Sequence, residues 1–250
     1  KNLSNKYYGV PSDPFPLSGS AFVTISIPLT NAADGSFNIL DVLMTGYEFV
    51  KAYDGQYPAA ALTAYWAPGS TSGTYYCTGG CPAGDGIYVL SLTGGDTDEF
   101  DDDVLWHEFG HFLASTFSVD ESSGGYHSLG DNDHDLRFSW SEGWGNFTPG
   151  AIKTWLAEGD PSRLSTPSLQ STTLYVDTSG ASGWSFDFGT APLDDAYSYA
   201  SGEVAVANVL LRLRALFSMQ DIWDVITSFP PSHPSPVNLE LFWARWIVSS

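Results

Sequence analysis

The run His107-Glu108-Phe109-Gly110-His111 sets two imidazoles four positions apart, with a carboxylate directly after the first. On a helix, residues four apart share one face, so both rings can reach a single ion. Imidazole nitrogen suits zinc, and a glutamate beside the ion can take a proton from water, which is the chemistry of metal-assisted hydrolysis. A catalytic zinc uses three protein ligands and keeps a fourth position open. The third donor must therefore come from elsewhere in the chain. The extended HExxHxxGxxH pattern is excluded, because Ala114 and Phe117 stand where its glycine and third histidine belong. Two sources remain: an aspartate among Asp131, Asp133 and Asp135, or Glu142 in the run SEGWGNF. Glu142 sits among bulky apolar neighbours, where a carboxylate needs a cation to offset its burial.

These residues need rigid elements to hold them. The acidic stretch Asp96–Asp103 leads into the HEFGH segment, and carboxylates favour a first helical turn, so a helix is expected over 102–117. Residues 118–137 are polar and Gly-rich and read as loop. A second helix starts near Phe138 and carries SEGWGNF until Pro149 stops it. Residues 158–194 read as a long irregular connection, and 195–218 carry the longest helical pattern, with Val204, Ala207, Leu210, Leu211 and Leu213 inside. Upstream, 21–28, 61–66 and 87–92 read as strands, and the segment 69–80 has room for an edge strand beside the cysteine loop. Ile39, Val42, Leu43, Tyr47 and Val50 mark an amphipathic helix that Asp54-Gly55 terminates. Strands first and helices afterwards make an α+β plan. A boundary near residue 115 separates an amino-terminal sheet lobe, 1–115, ending in the HEFGH helix, from a mainly helical lobe, 116–250, within one catalytic domain.

The chain of 250 residues holds 9 Lys and Arg against 29 Asp and Glu, a formal net charge of −20. That field repels nucleic acid and anionic membrane, and no apolar run approaches the roughly 20 residues of a membrane span. The amino terminus lacks the apolar core of a signal peptide, which fits a mature or trimmed chain. The two cysteines, Cys77 and Cys81, lie in CTGGC, a spacing that suits a tight disulfide and hence an oxidising, extracellular compartment. Calcium is a further expectation to test. Asp131, Asp133 and Asp135 open like an EF-hand loop, but Leu136 replaces its glycine and Glu142 is already wanted by zinc. A different calcium site within Asp131–Asp135 or Asp96–Asp103 stays open. His127, His134 and His233 lie in loop-like sequence and are expected to be solvated.

WHEFGH followed by EGWGNF resembles the fungalysin family of secreted metallopeptidases, within the wider thermolysin-like gluzincins. The lead-in DTDEFDDDVLWHEFGHFLAS is similar to the family's approach to its zinc helix, and YASGEVAVANVLLRL to a later helix with a Gly-Glu pair. The matches span 96–213 in blocks, while the amino-terminal third matches only in the order of its elements. The resemblance implies a two-lobed zincin-like fold with the zinc helix between the lobes. It implies His107, His111 and Glu142 as zinc ligands and Glu108 as general base. The expected substrate is a peptide or protein, laid along an edge strand within 70–78 and cut by a monomeric enzyme. No motif for capturing a terminal amine or carboxylate is visible, which favours an endopeptidase. Two positions depart from the pattern. Asn146 replaces an aspartate that accepts a hydrogen bond from a zinc histidine. Tyr199, or Tyr197 beside it, stands where a histidine stabilises the tetrahedral intermediate. Glu203, the acid of the Gly-Glu pair, is expected to be structural. The rival reading is a non-catalytic secreted binding or adhesion module with a structural zinc, for which nine Trp and a Tyr-rich loop would supply stacking surfaces.

Overall fold

The computed structural model describes residues 1–11, 26–27, 33–122, 124–125, 127–131, 133–164, 167–178, 183–190 and 201–249. The strand expected over 21–28 therefore lies almost wholly outside the described residues. Helix α1, Asp34–Asp54, buries Ile39, Val42, Leu43, Phe49 and Val50. It ends where expected, at Gly55, whose positive φ of 79° lets its N–H return to the Lys51 carbonyl. Three short strands follow: β1, Ala64–Tyr65; β2, Tyr75–Cys77; and β3, Gly86–Tyr88. They form one sheet in the order β1-β3-β2, with β1 parallel and β2 antiparallel to β3. β2 is thus an edge strand inside the segment where one was expected. A disulfide joins Cys77 to Cys81 at the end of β2, with Cα atoms 5.9 Å apart.

Helix α2 spans Asp102–Phe117. Its acidic lead-in does not cap it, since Asp101 at the N-cap makes no side-chain cap bond. These carboxylates instead reach across the molecule. Asp101 accepts the backbone N–H of Thr178, and Asp103 pairs with Lys153 at 2.7 Å. Helix α3, Leu136–Gly159, starts where Asp135 accepts the Arg137 N–H. It runs straight through Pro149, where the sequence predicts a stop. An interior proline costs roughly 3 kcal/mol. Burial of Phe147 before it and Ala151, Ile152 and Leu156 after it offsets that loss.

The segment expected to be irregular, 158–194, holds a hairpin: β4, Leu174–Asp177, pairs antiparallel with β5, Trp184–Asp187. A 3-10 turn at Pro161–Arg163 and a short helix α4, Pro167–Gln170, precede it. Helix α5, Glu203–Leu216, is shorter than the pattern predicted, and 191–200 lie outside the described residues. Among the described residues the longest helix is α3 rather than this one. Helices α6, Met219–Thr227, and α7, Leu239–Ser249, complete the chain. The class is α+β, mainly helical with small sheets. Among the described residues no helix is long and apolar enough to cross a membrane.

Glycines set how closely the central helices approach. A Cβ on Gly110 of α2 would fall 3.1 Å from the Gly145 Cα of α3 and 2.6 Å from Thr148 Oγ1. A Cβ on Gly143 would lie 2.4 Å from Val206 of α5. Small residues at both crossings therefore bring α2, α3 and α5 nearly backbone to backbone, with their polar side chains converging at one end of the core.

Candidate metal centre

His107 and His111 project from one face of α2 toward Glu142 of α3. His107 Nε2 lies 3.2 Å from His111 Nε2 and 3.3 Å from Glu142 Oε2, and His111 Nε2 lies 3.6 Å from the same oxygen. Three donors bound tetrahedrally to zinc at about 2.0–2.1 Å stand about 3.3–3.4 Å from one another. With sides of 3.2–3.6 Å the triangle is close to those dimensions, so the donor set could hold such an ion. All three residues are buried or nearly so, with side-chain exposures of 9–12%. Asp131, Asp133 and Asp135 join no such group: Asp135 caps α3 and pairs with Arg137, while Asp131 accepts the Ser128 N–H.

The electrostatics call for a cation at the same place. Burial disfavours the charged form of His111, but the Glu142 carboxylate more than offsets this and raises its pKa to about 10. His107 is raised likewise, burial opposing and the Glu142 hydrogen bond prevailing. Glu142 is held well below the usual carboxylate range; burial opposes this, and the His111 charge leads the groups that outweigh it. Protons on the rings supply the positive charge that the buried carboxylate demands, and a metal ion would displace them.

Outer partners fix which ring nitrogen faces the centre. His107 Nδ1 lies 3.0 Å from Asn146 Oδ1, which can only accept, so Nδ1 carries a proton and Nε2 is the nitrogen turned to the centre, where a metal would take the place of its proton. Asn146 thus accepts from a histidine as the aspartate of the resemblance does, without its charge. Its Nδ2 donates in turn to Glu203 Oε2 at 2.7 Å. Glu203, 1% exposed, thus serves as a buried anchor behind the site. His111 Nδ1 lies 3.0 Å from Ser141 Oγ, which donates to Asp120 Oδ1 at 2.9 Å. Neither Ser141 nor Asp120 was singled out by sequence. Ser141 adjoins Glu142 on α3, which is a usable signal; Asp120 has none.

Glu108 lines the same cleft of about 640 Å³ and is 7% exposed. Its Oε2 accepts the N–H of Tyr76 at 2.6 Å, which ties the carboxylate to edge strand β2. Thr74 to Thr78 form the opposite wall. His127 meets the expectation only in part: its side chain is still 27% exposed, yet its Nε2 lies 3.5 Å from both Glu142 Oε2 and Glu203 Oε1. Its loop has no periodicity that could have placed it there. His134 packs on the Phe138 ring at 4.7 Å, and His233 stays in an exposed turn. Tyr199 and Tyr197 fall outside the described residues. No protein-family model matches the chain, and no curated protein does.

Proposed function

We propose that the chain is a secreted zinc metallopeptidase of the gluzincin type, in which His107, His111 and Glu142 hold the metal and Glu108 is the general base. The observation that carries this reading is the triangle of two imidazole nitrogens and one carboxylate oxygen beside a second carboxylate in an open cleft. A zinc ion held there would act as a Lewis acid toward the scissile carbonyl and make a nearby water more acidic. Glu108, aimed into the cleft by the Tyr76 N–H, takes the proton of the attacking water and returns it to the leaving amine. Asn146 and Ser141 keep the two imidazoles oriented through catalysis. Tyr199, or Tyr197, is assigned to the oxyanion on the resemblance alone. The substrate is a peptide or protein strand extended beside β2 and cut internally by a monomer. The sheet-bearing half and the helical half form the two lobes of a zincin-like fold. The disulfide in β2 supports an oxidising compartment and hence secretion.

The binding-module reading needs a fourth protein ligand. His127 is the nearest further imidazole, yet it gathers with Glu142 and Glu203 and not with His107 and His111. An intact Glu108 also favours turnover. The test is a mixed peptide library incubated with the zinc-loaded protein, with and without a chelator, alongside Glu108→Gln. Cleavage should stop with the chelator and fall about 100-fold or more in the variant, with zinc content unchanged. Zinc-loaded protein that cleaves no peptide would sink the proposal.

A further inference from the structure

A second group of acidic side chains lies apart from the histidines. Asp96 and Asp98 precede α2, Asp177 ends β4, and each offers an oxygen within 4.8 Å of the other two. One oxygen of each, Oδ1, is shielded from solvent and has no hydrogen-bond partner. Asp98 as a whole is only 5% exposed. Its other oxygen accepts from Thr74, and Asp177 is bonded by Trp184, so two of the three carboxylates are oriented while the Oδ1 atoms are left over. Every Lys and Arg ion pair among the described residues goes elsewhere: Lys153 to Asp103, Arg137 to Asp135, Arg163 to Glu48 and Arg214 to Glu158. Three carboxylates converging without a cation are costly, both by desolvation and by mutual repulsion.

We propose that Asp96, Asp98 and Asp177 bind a calcium ion that joins the segment before α2 to the β4–β5 hairpin. The donors are all hard carboxylate oxygens, the set that selects calcium or magnesium over zinc. Calcium is also the ion that a cage of protein carboxylates holds by itself, whereas magnesium gives up its water reluctantly and keeps several waters in its shell. The consequence reaches the metal centre. The three aspartates line a cavity of about 290 Å³ together with His107, Glu108, Asn146 and Glu203. The hairpin that calcium would fasten carries Tyr175, whose ring stands edge-on to His107 with centroids 6.2 Å apart. The inference is independent of peptidase activity.

The test uses the full chain, stripped of calcium and kept saturated with zinc. Adding calcium should raise the melting temperature, and terbium luminescence sensitised by Trp184 should appear and be competed away by calcium. Asp177→Asn and Asp96→Asn should each weaken calcium binding about tenfold or more, since ligand charge sets affinity. Asp131→Asn, in the other acidic run, should keep the full response. The proposal is overturned if calcium changes neither signal, if magnesium acts equally well, or if both variants respond like the unaltered chain. Should a variant not fold, competition between terbium and calcium on the unaltered chain decides the matter.

Discussion

Removing the Lys153 ammonium should test how the metal helix is anchored. Lys153 is 0% exposed and its Nζ lies 2.7 Å from Asp103 Oδ1, itself on a side chain only 2% exposed. The same ammonium donates to the Leu174 carbonyl at 2.5 Å, and Asp103 Oδ2 accepts the Val176 N–H at 3.0 Å. One ion pair therefore joins α3, α2 and β4, one helical turn ahead of His107. Lys153→Met keeps the bulk of the side chain and strands a buried carboxylate, which costs about 3–5 kcal/mol. Domain stability is typically about 5–15 kcal/mol, so the loss should be plain in urea unfolding of the metal-saturated protein. The deficit should also depend on pH. Burial already raises the Asp103 pKa, with Lys153 opposing, and without the ammonium it rises further. The folded variant then holds its proton longer than the unfolded chain, so stability is retained in acid and lost as pH rises. The deficit at about pH 8 should exceed that at about pH 5. Adding Asp103→Asn removes the stranded charge and should recover about 1–3 kcal/mol. A Lys153→Met loss under about 1 kcal/mol, equal at both pH values, would refute the reasoning, because no stranded buried charge could cost so little.

Gly145→Ala should preserve α3 yet lower zinc affinity about tenfold or more, measured by competition with a chromophoric chelator. The new Cβ would lie 2.9 Å from His107 Cε1 and 3.0 Å from its Nε2, forcing the ring aside. Asn146→Asp should destabilise the chain by about 1–3 kcal/mol, since it sets a second buried carboxylate where an amide now donates to Glu203. Adding Glu203→Gln should restore the loss in chemical denaturation, whereas a deficit unchanged in the double variant would contradict the pairing. Asp102 has a pKa raised to about 6 by burial first and the Asp103 charge second. The folded state keeps that proton longer than the unfolded one, so stability falls as pH rises from about 4 to about 6. Asp102→Asn should remove this slope and gain roughly 3 kcal/mol above that window, read from unfolding free energies across pH.

What the sequence made legible follows from how local each signal was. The bounds of α2 could be read because its apolar face repeats within a few residues and its acidic start is unambiguous. The Pro149 stop failed because burial of Phe147, Ile152 and Leu156 is set by partners elsewhere in the chain, and those outweigh a local breaker. The β4–β5 hairpin was missed because four-residue strands present too few alternations to stand out from irregular sequence. Among the candidates for third ligand, the Gly110–Gly145 approach separates Glu142 from the three aspartates. It sets α3 against α2 over the turns that carry the histidines, while Asp135 is consumed in capping the helix.

Asn146 shows why the surroundings of the site are harder to read than the site. In sequence it is a departure from the aspartate of the resembling family, which suggests a weaker hold on His107. In the fold, its oxygen faces His107 and its nitrogen faces Glu203, 57 positions away. An aspartate could meet the first partner but would repel the second. The amide meets both partners at once, its oxygen accepting from His107 and its nitrogen donating to the buried Glu203. Asn146 and Glu203 are thus a matched pair, each uninterpretable without the other, and neither helical period nor motif spacing connects them.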